Sequence, residues 1–485
     1  MNINRISANL YGDLCGYGRS RIRRDVRRNA CRKPEDIAAF QAELFQRRVQ
    51  DAIVRFPAYA EKVRAHCGNL PTVGDTINPS NLPIWTRQDQ RALFASLQGP
   101  PVPGAFVHST GGSTGEPTRF YVTRESYEWR TAVSDRGYSW AGAEEGQRSY
   151  YVWGTPIKPL PFVKKLRSEL QHAIQRREYF DSFFFDNDRK ALCLKAINRF
   201  RPVVLVGYAG NLVDLALYVR GARRECEAPV VTAVPGGRDT GRVSEGGAQG
   251  ATTSGPLTWK STRLVTGAEG LQPGQRELLQ STLADEVFMS YGSREFMLIG
   301  MECPQHRGYH ISSDNLFVEV IDEQGQPAAP GQTGRILVTD LRNEATPFIR
   351  YEIGDMGAMA GESCSCGLPF PLLARVEGRS QEFLLAANGS RMTALFIPHL
   401  MKEFNWIYGY QLEQAGPGVV QVNVLTDQEL MESKVAPLVA ALREKLGAGS
   451  QIKVARVSAL KKSSSGKIPI VIRREESPHG VRLPH

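Results

Sequence analysis

Between Phe106-Val107 and Phe120-Tyr121-Val122 the chain passes through His108-Ser-Thr-Gly-Gly-Ser-Thr-Gly-Glu-Pro-Thr-Arg119. Two short apolar runs around a cluster of glycines and hydroxyls predict strand, tight loop, strand. Gly111, Gly112 and Gly115 can adopt positive φ and let the backbone approach a ligand without a Cβ in the way. Successive N–H groups in such a loop form an anion-binding nest, and Ser109, Thr110, Ser113 and Thr114 add hydroxyl donors. Phosphate is the natural guest. The P-loop of kinases and GTPases ends in Gly-Lys-Ser/Thr and opens a helix. Here Glu116-Pro117 and a strand-like run follow, so this is a phosphate loop of another kind. A polar hairpin turn is the plain alternative for the loop taken alone.

The 485 residues predict two or three domains. With 41% hydrophobic and 23% charged residues, the chain can bury sizeable cores. No apolar run is long enough for a transmembrane helix, and the first residues lack the apolar core of a secretory signal. Eight cysteines spread over this length do not form a disulfide framework. A reducing, cytoplasmic location is expected. The net charge of +10 is partly local: Arg19-Ser-Arg-Ile-Arg-Arg-Asp-Val-Arg-Arg28 with Arg32-Lys33 is a dense basic cluster. A solvated helix face is the expected reading. A membrane, nucleic-acid or anionic partner is the alternative, and no nucleic-acid motif accompanies the cluster.

Residues 34–66 predict helix interrupted at Pro57, with Ile37, Phe40, Leu44, Val49, Ile53 and Val54 on the apolar stripe and Arg47-Arg48 outside it. A helix is expected over 125–142, then an aromatic strand, Tyr150-Tyr-Val-Trp153. Val203-Val-Leu-Val206 predicts a buried strand, and Leu212–Val219 a helix, giving α/β alternation. The Gly/Ser-rich stretch 235–256 is expected to be a flexible insertion. Strands follow within 316–340. After about residue 380 a smaller α+β unit is expected, with strands at 418–425 and 452–457 and a helix from Asp427 to Leu446.

Taken in order, these motifs resemble the adenylate-forming superfamily of acyl-CoA synthetases, adenylation domains and luciferases. The resemblance is greatest to its phenylacetate–CoA ligase-like branch and to the members associated with capsular polysaccharide biosynthesis. It spans roughly residues 35 to 475. After the phosphate loop, Thr266-Gly-Ala-Glu269 resembles the adenine-side segment and Tyr291-Gly-Ser-Arg-Glu295 the Tyr-Gly-x-x-Glu motif. Pro347-Phe-Ile-Arg-Tyr-Glu-Ile-Gly-Asp355 resembles the Arg-Tyr-x-x-Gly-Asp motif. Gly378-Arg-Ser-Gln-Glu382 stands at the inter-domain hinge, and Lys462-Ser-Ser-Ser-Gly-Lys467 matches the C-terminal lysine motif. Six motifs in order are specific where one would be weak.

The resemblance implies an α/β fold: a large N-terminal adenylate-forming domain (1–378), with mixed sheets, helices and a β-barrel-like part. A hinge at 379–383 would join it to a small mobile α+β lid domain (384–485). It implies that a carboxylic acid attacks ATP to give an acyl-adenylate and pyrophosphate, and that the acyl group then passes to an acceptor. Coenzyme A is the default acceptor; an amine or a carrier-protein thiol remains open. So do a non-catalytic nucleotide-binding relative and a membrane-associated binding module.

Two anions must meet in such a reaction, so preorganised donors and a metal are required where charge develops. Glu295 offers an oxygen ligand for Mg²⁺. Lys467 closes over the site as a point charge. Tyr291 lies against adenine beside Gly267, Ala268, Glu269, Gly292 and Ser293; Asp355 accepts the ribose hydroxyls and Arg379 reaches the ribose from the domain junction. Glu382 serves the hinge. Relatives usually carry lysine where Glu116 stands, and Arg294 is the candidate to supply that charge. Tyr151 and Trp153 are candidates for the acid pocket, with a weak preference for an aryl acid. Cys303, His310, Cys364 and Cys366 form a candidate zinc site, with reduced thiols as the alternative and His306 as the less favoured histidine.

Overall fold

A computed structural model describes residues 13, 18–72, 74–110, 118–153, 169, 172–182, 185–227, 257–379, 383–394, 396–401, 403–404, 406–462 and 468–473. Its largest element is an eleven-stranded sheet in the order β10-β11-β12-β13-β9-β8-β7-β6-β5-β3-β4. The parallel part comprises β3 (Ser149–Trp153), β4 (Arg177–Asp181), β5 (Val204–Tyr208), β6 (Ser261–Gly267) and β7 (Ala284–Ser293). Continuous burial of Val204 to Gly207 reflects a strand covered on both faces.

Helices Asn187–Phe200, Ala209–Glu227 and Gln275–Thr282 cover one face around Leu205, Leu212, Leu264 and Leu279. On the other face, Tyr138 and Trp140 of the helix Arg124–Trp140 pack against a core that includes Val206, Val265 and Phe288.

The sheet then turns antiparallel through β8 (Met297–Met301), β9 (Tyr309–Ile311), β10 (Leu316–Ile321), β11 (Gly334–Asp340), β12 (Tyr351–Met359) and β13 (Leu372–Arg379). This wing is the part expected to be barrel-like. It packs on the helices Pro34–Arg55 and Pro57–Cys67 through Phe45, Val49, Tyr59, Phe348 and Tyr351. The hairpin of β1 (Phe106–Ser109) and β2 (Arg119–Val122) stands separately, with Phe120 against Phe348.

The last unit is a four-stranded sheet, β18-β17-β16-β19, built from β16 (Gly409–Gly416), β17 (Val419–Leu425), β18 (Gln451–Arg456) and β19 (Val471–Arg473). Leu438, Leu442 and Leu446 of its covering helix enter the core at helical spacing. That helix runs Glu432–Leu446, so the expected start at Asp427 is too early: Asp427 instead accepts from the Tyr408 hydroxyl. The expected insertion at 235–256 lies outside the described residues. No described helix is long and apolar enough to cross a membrane.

Two expectations about arginines are corrected, the second only in part. In the helix Pro34–Arg55, Arg48 is buried and donates to the Thr346 carbonyl at 2.8 Å, whereas Val54 is 86% exposed. The basic cluster forms the helix Arg19–Asn29, whose Arg21, Arg24, Arg27 and Arg28 make the expected solvated face, while Arg19 and Arg23 are buried on the other side. Ile22 and Val26 pack on Trp129, Ala132 and Val133. Alongside them Arg19 reaches Glu128 at 2.9 Å, and Arg23 pairs with Asp135 at 2.6 Å and with Glu145. The acids lie far away in sequence, so composition alone could not show that the charges are neutralised internally.

Removing one member of a buried, paired set strands its partners in low dielectric. Arg23→Ala is therefore expected to lower stability by about 3–5 kcal/mol. Arg21→Ala, at an exposed pair with Glu125, should cost less than about 1 kcal/mol. Urea denaturation of both variants checks the difference.

Candidate functional site

In open sheets of this kind, ligands bind beyond the carboxyl ends of the parallel strands. Here those ends present Trp153, Tyr208 and Gly267. The Trp153 and Tyr208 rings lie 4.2 Å apart between centroids. A Cβ on Gly267 would come within 3.2 Å of both the Trp153 ring and Ser290 Oγ, so glycine is what lets the tryptophan lie against the strand. Ala268 turns away with φ of 69°, leading into Glu269. The Glu269 carboxylate accepts the Ile468 N–H at 2.6 Å and the Gly210 N–H at 3.2 Å. Thus the acid expected beside adenine is engaged with the backbone next to Lys467.

Tyr291 is buried near the end of β7, and its hydroxyl donates to Asp355 Oδ2 at 2.8 Å. Burial, reinforced by the Asp355 charge, holds its phenol well above the ordinary tyrosine range. Two motifs distant in sequence are joined by this bond. Asp355 follows Gly354, whose φ of 87° favours glycine, and it pairs across the strand with Arg379. Gly292 is equally constrained, because a Cβ there would stand 2.1 Å from the Met297 carbonyl oxygen. Ser293 ends the strand opposite Met297, with an Oγ that is buried and has no hydrogen-bond partner among the described residues.

Beyond that hairpin, Glu295 is buried, and its Oε1 meets the Tyr351 hydroxyl at 3.5 Å. Burial and the neighbouring Glu295 push the Tyr351 phenol up, while a hydrogen bond from Arg87 opposes them. Arg294 is exposed. Burial, then Arg130 and Arg294, lower the pKa of His108 at the foot of the phosphate loop. The loop base is tied by Thr110 N–H to the Thr118 carbonyl and Thr118 N–H to Thr110 Oγ1, both at 3.0 Å. Ser109, opposite Arg119, is exposed.

Gly111, Gly112, Ser113, Thr114, Gly115, Glu116, Glu382 and Lys467 lie outside the described residues, as does the Arg379 side chain. Tyr151 and Trp153 separate along one strand. Trp153 reaches the sheet end, whereas Tyr151 stacks on Tyr179 at 4.7 Å, with the Arg177 guanidinium 5.7 Å from its ring.

Tyr351 lies within the quoted segment Pro347–Asp355, whereas Tyr208, two residues past the apolar run 203–206, and Arg87 were not marked by any motif. Glu302 gave no sequence signal. This buried carboxylate accepts the Met289 N–H at 2.8 Å and binds Arg276 with both oxygens at 2.8 and 3.0 Å, directly behind Ser290 and Tyr291.

Cys303, His310, Cys364 and Cys366 converge, with their ligand atoms all within 4.8 Å of one another. Cys303 and Cys364 sulfurs are 3.7 Å apart, and Cys366 Sγ lies 3.2 Å from His310 Nε2. His310 Nδ1 faces the Phe370 carbonyl at 3.3 Å, which orients Nε2 toward the thiols. His306 stands apart, with Nδ1 3.1 Å from Glu302.

Residues 384–474 match the family model of the CapK C-terminal domain. Over 387 residues the chain is 28% identical to the phenylacetate–coenzyme A ligase of Escherichia coli K12, covering 78% of this chain and 79% of that protein. Over 125 residues it is 32% identical to the Thermus thermophilus phenylacetate–coenzyme A ligase, a match spanning 25% of this chain and only 28% of that enzyme's length. The fold is similar to 2-hydroxyisobutyryl-CoA ligase in its postadenylation state with R3-HIB-AMP: TM-score 0.64 at 18% identity, over 93% of this chain and 92% of that one. Against the same ligase in its thioesterification state, with 2-HIB-AMP and CoA, the TM-score is 0.56 at 18% identity, over 92% and 91% of the two chains.

Proposed function

We propose that the chain is an AMP-forming acid–CoA ligase of the adenylate-forming superfamily, on its phenylacetate–CoA ligase-like side. It activates a carboxylic acid with ATP, releases pyrophosphate, and passes the acyl group from the adenylate to coenzyme A. The observation that carries this reading is the Tyr291–Asp355 hydrogen bond with buried Glu295 close by in the chain. It gathers the proposed adenine, ribose and metal contacts at one end of the sheet.

In this reading Tyr291, Gly267 and Ala268 border the adenine, and Asp355 receives the ribose hydroxyls on the oxygen not held by Tyr291. The 109–115 loop takes phosphate oxygens above the base tied by Thr110 and Thr118. Glu295 fits Mg²⁺: it is a buried hard-oxygen ligand whose nearest hydroxyl, that of Tyr351, is a long 3.5 Å away. When bound, the ion neutralises charge on the phosphates. Arg294 and Lys467 supply further positive charge at the phosphates and at the attacking carboxylate. Trp153 and Tyr208 offer an aromatic wall suited to an aryl acid of the phenylacetate class. Residues 379–383 act as a hinge between body and lid, and Glu382 belongs to it.

Carboxylate-dependent exchange of labelled pyrophosphate into ATP tests the reading. Phenylacetate and related aryl acids should support exchange better than fatty or amino acids. Glu295→Gln and Lys467→Ala should each reduce it by about 100-fold or more. No exchange with any acid, despite ATP binding, would overturn the assignment.

The four-residue Cys/His cluster fits a structural Zn²⁺. Zinc–sulfur bonds of about 2.3 Å at a tetrahedral angle put two sulfurs about 3.8 Å apart, against 3.7 Å for Cys303 and Cys364. Purified protein should carry about one zinc per chain by elemental analysis. Cys364→Ser with Cys366→Ser should lose it and unfold at lower temperature. Full stability without metal would sink the proposal.

A further inference from the structure

Lys462 and Ile468, on either side of segment 463–467, both meet the body. Within the small domain, Gln411 is fully buried on β16 and clasps both flanks of segment 463–467. Its Nε2 donates to the Lys461 carbonyl at 2.9 Å and the Pro469 carbonyl at 3.0 Å, and its Oε1 accepts the Lys461 N–H at 3.0 Å. The two flanks therefore travel together.

Each flank also meets the body. Lys462 Nζ donates to Asn211 Oδ1 and lies 3.5 Å from Asp214 Oδ2. Ile468 N–H donates to Glu269 Oε1 at 2.6 Å. Asn211 is preset for this contact: its Nδ2 is held by the Ser182 carbonyl at 3.0 Å and by Ser182 Oγ at 2.7 Å, which leaves its oxygen facing Lys462. Asp214 lies on the same helix, three residues on, and is buried. Lys462 and Lys190 are the charged groups that act on it. At the second contact Gly210 makes room. A Cβ there would stand 2.6 Å from Ile468 Cδ1 and 3.1 Å from Glu269 Oε2.

We propose that Asn211, Asp214 and Glu269 form a receptor for the Gln411-clasped flanks, acting as positioning residues for adenylate formation and not for acyl transfer. The inference rests on the adenylation reading above. Its physical basis is that every receptor contact joins body to small domain. If the small domain turns away for thioester formation, all of them break together, whereas the adenine and ribose contacts on the body stay. None of the three residues touches the reacting atoms.

The test compares wild type with Lys462→Ala, Lys462→Arg and Asp214→Asn, with phenylacetate as the acid. Pyrophosphate exchange reports the first step. Thioester formation from synthetic phenylacetyl-adenylate and CoA reports the second. Hydrogen–deuterium exchange of the peptide containing Ile468 reports docking without any catalysis. Lys462→Ala and Asp214→Asn should lower pyrophosphate exchange by about 10- to 100-fold. The second step should stay within about twofold, and the Ile468 amide should exchange faster. Lys462→Arg should restore both exchange signals. An equal fall in the two half-reactions, or unchanged amide protection, would overturn the receptor. A wild type inactive in pyrophosphate exchange would overturn the adenylation reading instead, and the amide comparison would then decide docking alone.

Discussion

The architecture turns on strand β7, which changes pairing sense along its length. From Ala284 to Met289 it runs parallel to β6; from Ser290 to Ser293 it is antiparallel to β8. At the changeover Met289 pairs with Thr266 of β6, and it also meets Glu302, the residue just past the end of β8. The Glu302 carboxylate accepts the Met289 N–H, and the Glu302 N–H donates to the Met289 carbonyl at 3.1 Å. A buried backbone group without a partner is expensive, and a buried carboxylate needs paired donors. Arg276 satisfies the second requirement with both of its bonds to Glu302. One buried acid thereby permits a parallel α/β half and an antiparallel wing to share a strand.

That changeover sets where the candidate chemistry lies. Immediately past it come Tyr291, the tight turn allowed by Gly292, and buried Glu295. The antiparallel wing brings Asp355 and Tyr351 up against them. The Cys303 cluster is placed just behind, at the end of β8 and the start of β9, where it ties the β12–β13 connection to that same pair of strands. Its ligand atoms lie within 4.8 Å of one another.

The body is also braced at its beginning. The helix Arg19–Asn29 lies on the helix Arg124–Trp140 through an apolar seam flanked by arginine–carboxylate pairs. That second helix backs the sheet face beneath Tyr151 and Trp153. The positive charge that composition makes conspicuous is thus partly neutralised inside the molecule. Arg21, Arg24, Arg27 and Arg28 stay exposed there, whereas the paired, buried Arg19 and Arg23 contribute little field at the surface.

Periodicity and punctuation made most of the elements legible. Pro57 broke the first long helix, and the apolar run 203–206 marked a buried strand. These are local properties, fixed by side-chain period and by backbone sterics. The order of the six motifs likewise carried the resemblance to the adenylate-forming superfamily.

Tertiary structure alone decided which distant groups meet. It joined Tyr291 to Asp355, brought Cys303 and His310 to Cys364 and Cys366, buried Arg23 against Asp135 and Glu145, and turned Glu269 toward Ile468. It also supplied Glu302, Asn211 and Asp214, which no local pattern marks. The reason is physical: a hydrogen bond or ion pair depends on distances of about 3 Å between atoms, and such distances between residues far apart in the chain exist only once the sheet, its covering helices and the small domain have packed.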